Sequence, residues 1–255
     1  MFPYSGAILS IDPAVVSASP AVLEWVDGQG NRIPNSQIAS ANPDFAGKVL
    51  VLAHGFRNIF GVAFAPSALP FAGTAYTAMN GSDMPPSQDA LFRVASGADY
   101  GFPFCFNQGF PGDVGSGIST TANPLFPSFD CTAVPKATAL LGWHVCATGI
   151  DFPVPASAGL SDAAFPQTFR QSVFAGECTP FFFADLAAQI LADPTHATHD
   201  TSHKIVRISL DDSGQATAVD DFLDGLVLNT DALFGPDGAM YVADVEGILR
   251  VAPAL

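Results

Sequence analysis

The residues best equipped for chemistry sit in the stretch AHGFRNIFGVAFAP, Ala53 to Pro66. Lysine and arginine together number nine against 24 acids. Arg57, beside Asn58 at a turn between two apolar runs, is therefore a scarce cation. A guanidinium there either pairs with an acid to tie segments together or offers a planar, bidentate fork to an anionic ligand. A second polar, glycine-bearing loop follows, MNGSDMPPSQD from Met79 to Asp89.

Five histidines add further candidates. His144, in GWHVCATG, either faces a site or is a hydrogen-bonded core histidine. His196, His199 and His203, in DPTHATHDTSH, have a spacing that could hold a transition metal, but no acid or cysteine pattern accompanies them on this polar loop. His54 is expected to support the turn around Arg57. Four cysteines, Cys105, Cys131, Cys146 and Cys178, permit three pairings, and the even count fits two disulfides in an oxidising compartment or four buried thiols.

The elements that must position these groups are legible in the composition and repeats. The chain has 255 residues, 49% of them hydrophobic and only 13% charged, with a formal net charge of −15. That length buries a real core. The acidic balance excludes nucleic acid and anionic membrane surfaces as partners. No apolar run is long enough to span a bilayer, and MFPYSGAILSID lacks the basic start and cleavage site of an export signal. Disulfides without a visible signal give the expectation of a secreted or periplasmic protein whose sequence here starts after its true beginning.

Two distant segments read alike: GVAFAPSALPFAGTAYTAMNGSDMPPSQDALFRVA (Gly61 to Ala95) and DALFGPDGAMYVADVEGILRVA (Asp231 to Ala252). Each gives an apolar strand ending in Pro, a Gly-containing turn, a strand AYTA or MYVA, a loop, and a strand FRVA or LRVA. In the second, PDG (Pro236 to Gly238) predicts a tight hairpin turn. GAILSID (Gly6 to Asp12) and HKIVRIS (His203 to Ser209) repeat the third-strand signature. Repeated short-strand meanders predict an all-β fold, a β-propeller ahead of a sandwich. The one helical pattern, FADLAAQILAD (Phe183 to Asp193), falls inside a loop. The expected blades are the end of one over residues 1–53, then 54–142, 143–225 and a last at 226–255, about three and a half to four in all, where closed propellers have at least four. In such a fold, the turn holding Arg57 and the loop from Met79 to Asp89 open on the same face, at the channel mouth.

GFRNIFGVAFAP, then NGSD, then DALFRVASGADYGFPFC (Asp89 to Cys105), resembles the soluble quinoprotein glucose/sorbosone dehydrogenase family, as do GAILSIDP and FGPDGAMYVAD (Phe234 to Asp244). The resemblance implies a six-bladed propeller that binds pyrroloquinoline quinone (PQQ) with Ca2+ and oxidises a sugar, passing electrons to an external acceptor. It also implies that Arg57 and Asn58 contact the quinone, that Gly81 and Ser82 hold calcium through backbone carbonyls, and that His144 matches a family histidine before an inner strand. Asp83 is either a supporting acid or a turn cap.

The chain departs from the family pattern in places. The family's catalytic histidine lies upstream of the segment matched by GAILSIDP, so these residues alone are expected to be inactive. Ser10 and Phe102 replace a common Arg and Trp, and Asn229 and Thr230 lie where an arginine often starts the last blade. The alternative is a propeller that binds a ligand after losing its redox site. A calcium-dependent lactonase is disfavoured, its Glu, Asn and Asp ligand set not being visible. From the strand pattern, Cys105 is expected to pair with Cys131 across the loop after YGFPFC. Cys146 is expected to pair with Cys178, where an inner strand meets its antiparallel neighbour.

Overall fold

The computed structural model describes residues 6–12, 29, 49–82, 87–143, 145–154, 165–178 and 203–253. Among these the chain is all β, built from short antiparallel strands punctuated by glycine and proline. Strands β1 (Ile8–Ile11) and β2 (Val49–Ala53) pair as a two-stranded sheet. Strands β3 (Asn58–Phe64), β4 (Ala75–Asn80) and β5 (Asp89–Val94) form a meander that β8 (Ala139–Gly142) completes. A hairpin of β6 (Cys105–Gln108) and β7 (Ser119–Ala122) interrupts it, an element the sequence pattern did not show. The third sheet runs β9 (Ala147–Asp151), β10 (Ser172–Glu177), β11 (His203–Leu210), β12 (Ala216–Leu226). The last runs β13 (Asn229–Phe234), β14 (Met240–Asp244), β15 (Gly247–Val251).

The expected strands are present, within a few residues at each end. The PDG turn closes β13 onto β14, with Phe234 opposite Met240 and Gly238 at φ +79°. Glycine suits that position because it carries no Cβ to clash at positive φ. The helical pattern at Phe183 to Asp193 lies outside the described residues, as do His196 and His199. His203 is not on a loop: it is buried and opens β11.

Three apolar clusters join each sheet to the next. Ile8, Phe56, Phe92 and Tyr100 connect the first two sheets, with the Phe56 and Tyr100 rings stacked at 4.2 Å. Tyr76, Leu91, Ile150, Val206 and Ile208 connect the second and third. Phe165, Phe174, Phe234 and Met240 connect the third and fourth. The first strands of the last three sheets lie close together. A Cβ on Gly61 would stand 3.2 Å from the Ile150 amide nitrogen, and one on Gly149 would stand 1.6 Å from Asp231 Oδ1.

Asn229 locks the third sheet to the fourth. It is fully buried, its Nδ2 donates to the Glu177 carbonyl (2.6 Å) and the Lys204 carbonyl (3.1 Å), and its Oδ1 accepts from Thr148 Oγ1 (2.9 Å). The residue standing where the resemblance expected an arginine is thus a structural bracket. Asn229→Ala strands two carbonyls and a hydroxyl in the interior and is expected to cost about 2–4 kcal/mol in urea unfolding.

Candidate functional site

Strand register gathers the candidate residues at one end of the sheets. Asn58 opposes Asn80, so the turn carrying Arg57 and the loop starting at Gly81 meet where β3 begins and β4 ends. Asp89 opposes Gly142 at the same end of β5 and β8. Ala147 opposes Glu177, which opposes Lys204, at the corresponding end of the third sheet.

Arg57 is half-buried, and its Nη1 donates to the Gly81 carbonyl oxygen at 2.5 Å, from 24 residues away. Its backbone N–H meets Met79 Sδ at 3.2 Å. Arg57 and Gly81, two separate expectations of the sequence, are therefore in direct contact, and Asn58 is exposed beside them. The Gly81 carbonyl thus accepts a charge-assisted hydrogen bond from a guanidinium. Gly81 has to be glycine, because a Cβ there would lie 2.6 Å from the Gln88 carbonyl carbon and oxygen. Carbonyl donors of this kind suit a hard, oxygen-seeking cation. The Ser82 N–H donates to Ser87 Oγ at 2.8 Å, while Asp83 lies outside the described residues.

The sequence reading assigned no role to Asp89, which proves central. It is 2% exposed; Oδ1 accepts from the Gly81 N–H at 2.8 Å and Oδ2 from the Ala147 N–H at 3.1 Å. Burial pushes its carboxyl up to about 6, against the opposing pull of N–H donors from Gly81, Ala147 and Cys146 and of the Arg57 charge. The available signal was its place at the foot of the polar loop, opening a buried strand.

His144 lies outside the described residues; its neighbours Trp143 and Val145 are buried in the β8–β9 connection. His54 is tied to residues 98–100: its backbone N–H donates to the Ala98 carbonyl (3.1 Å), its carbonyl accepts from the Tyr100 N–H (2.8 Å), and Nδ1 lies 3.4 Å from Asp99 Oδ1. A second charged group that sequence reading missed is the buried Lys204, whose Nζ lies 2.7 Å from Asp221 Oδ1 and 3.9 Å from Glu177 Oε2.

Both disulfides form as expected. Cys105 joins Cys131, and Cys146 joins Cys178 with Cα atoms 4.9 Å apart and a Cys178 N–H bond to the Cys146 carbonyl at 3.0 Å. The second fastens the β8–β9 turn beside Asp89.

No protein-family model and no curated protein matches the sequence. Among solved structures, the chain is similar to a glucose dehydrogenase at 18% identity and TM-score 0.51, over 92% of this chain and 51% of that one. The calcium structure of a Trichoderma reesei carbohydrate-active enzyme of family AA12 gives 14% identity and TM-score 0.51, over 95% of this chain and 62% of that one. A further glucose dehydrogenase gives 16% identity and TM-score 0.50, over 99% of this chain and 63% of that one. The chain shares the fold of sugar dehydrogenases. It spans about half of the first of these relatives and under two thirds of the others. Among the described residues no helix is long and apolar enough to cross a membrane.

Within that fold, Cys146–Cys178 closes a loop of 32 residues' separation next to the site. Replacing both cysteines by alanine is expected to lower stability by about 3 kcal/mol in denaturant unfolding, and non-reducing peptide mapping of the parent should yield only the Cys105–Cys131 and Cys146–Cys178 pairs.

Proposed function

We propose that this chain is the cofactor-binding part of a PQQ- and Ca2+-dependent sugar dehydrogenase, its sheets other than the β6–β7 hairpin being successive blades of a six-bladed propeller over residues 1–53, 54–142, 143–225 and 226–255. The carrying observation is the contact of Arg57 with Gly81. Two residues matched separately to a quinone-contacting and a calcium-holding position are joined at one end of a sheet, in a chain with the fold of sugar dehydrogenases. The calcium structure of a related fold supports the cation.

When bound, the quinone supplies the electrophilic carbon that takes a hydride from the sugar's hydroxyl-bearing carbon, leaving the hydroxyl proton to a base. Arg57 offers two parallel N–H groups to an anionic oxygen or carboxylate, a geometry that a lysine point charge cannot match. Asn58, exposed beside it, can donate and accept within the same plane. The carbonyls of Gly81 and Ser82 would hold the cation without adding charge. A fixed guanidinium in a partly buried position acts more strongly on developing charge than it would in water. His144, by its match to the family histidine, is proposed as a further polar group of the site. The proton acceptor is not among the residues assigned here. Two disulfides suit an extracytoplasmic location, periplasmic or secreted, with an external acceptor reoxidising the cofactor.

Arg57→Ala in the intact protein tests this reading. Titration with PQQ and Ca2+, followed by absorbance, is expected to show at least tenfold weaker cofactor binding and a matching loss of sugar turnover. Apo stability should change by no more than about 1.5 kcal/mol, the worth of one charged hydrogen bond at a half-buried position. Equal cofactor binding by parent and variant, together with a large loss of apo stability, would make Arg57 a purely structural anchor.

A further inference from the structure

The Gly81 carbonyl does not find its direction by itself. It belongs to the peptide whose N–H is that of Ser82, and in a trans peptide the two groups point to opposite sides. The Ser82 N–H donates to the 3%-exposed Ser87 Oγ at 2.8 Å, so the Gly81 oxygen is turned away from Ser87 and towards Arg57. The preceding peptide is fixed as well, since the Gly81 N–H donates to Asp89 Oδ1 at 2.8 Å. Asp89 is in turn held by the Ala147 N–H at 3.1 Å, and it accepts from the Cys146 N–H, on the turn fastened by Cys146–Cys178. Both peptides of Gly81 are therefore gripped from the interior, by two buried side chains on the strand-ward end of the loop.

We propose that Ser87 and Asp89 are positioning residues of the cation site. They aim the Gly81 carbonyl into the space it shares with Arg57 and tie that carbonyl to the neighbouring sheet's first strand. A loop carbonyl free to rotate would have to be ordered by the cation itself, which lowers affinity; a carbonyl already aimed needs no such ordering. The inference rests on the reading that Gly81 is a cation ligand.

The test is terbium luminescence on the intact protein, with Ca2+ competing, for the parent, Ser87→Ala and Asp89→Asn. A control, Tyr76→Phe, deletes the hydroxyl that donates to the Gly214 carbonyl at 2.7 Å, remote from the site. Ser87→Ala and Asp89→Asn are expected to weaken Ca2+ binding roughly 10- to 100-fold, as loss of groups that orient metal ligands does. The control should bind as the parent does even where its melting temperature falls further than that of Ser87→Ala. Asp89→Asn keeps the side-chain shape but turns an amide N–H against a backbone N–H; if it does not fold, Ser87→Ala decides. Parent-like Ca2+ affinity in Ser87→Ala overturns the proposal alone. Absence of Ca2+ binding by the parent overturns it together with the calcium reading on which it rests.

Discussion

The arrangement depends on how closely the first strands of successive sheets can approach, and glycine sets that distance. Gly61 on β3 lies against the backbone of Gly149 and Ile150 on β9, and Gly149 lies against Asp231 on β13. Any larger residue at position 149 would meet the Asp231 carboxylate at once. Strands so close leave no room for apolar side chains between them, so polar groups complete the contact. Thr148 and Asn229 bond across the junction, and Gly176 leaves the room they need, since a Cβ there would sit 2.2 Å from Thr148 Oγ1. The large aromatic and aliphatic residues are placed farther out, in the three clusters between sheet faces.

Close approach has a chemical consequence. Backbone groups at the ends of the first strands come within reach of side chains from the adjacent sheet, and buried amides require partners. Asp89, on the second sheet, satisfies amides on its own loop and on the third sheet with one carboxylate. Asn229, on the fourth, satisfies carbonyls on the third. The sheets are thus fastened by polar groups at the same end that presents Arg57 and Gly81.

Charge is distributed accordingly. In a chain of net charge −15 with nine basic residues, a buried or half-buried cation has many acids to choose from. Lys204 lies against Asp221 and Glu177, and Arg207 and Arg250 pair with Asp220 and Asp237. Arg57 donates at the site to the Gly81 carbonyl oxygen, and its charge also acts on the buried Asp89 carboxyl.

The amino-acid sequence by itself determined the local elements. Alternation of apolar residues, the Pro-Asp-Gly turn and the repeated strand phrases encode period-2 strands and tight turns, and these rest on interactions within a few residues. The same strand pattern placed Cys146 beside Cys178 and put the Arg57 turn and the Gly81 loop at one end, because antiparallel register follows from connection length. Tertiary structure alone decided the partners. No spacing in the sequence says that Arg57 meets Gly81, that Asp89 bridges two sheets, or that Asn229 is a hydrogen-bonded bracket. Arg57 meets Gly81 through the β3–β4 register of one sheet, whereas the Asp89 and Asn229 contacts depend on which strands touch across sheets, as the glycine-set approach fixes over scores of residues. The β6–β7 hairpin escaped for a related reason. Its residues, Cys105–Gln108 and Ser119–Ala122, are too short and too polar for alternation to mark them, and they become strands only by pairing with one another.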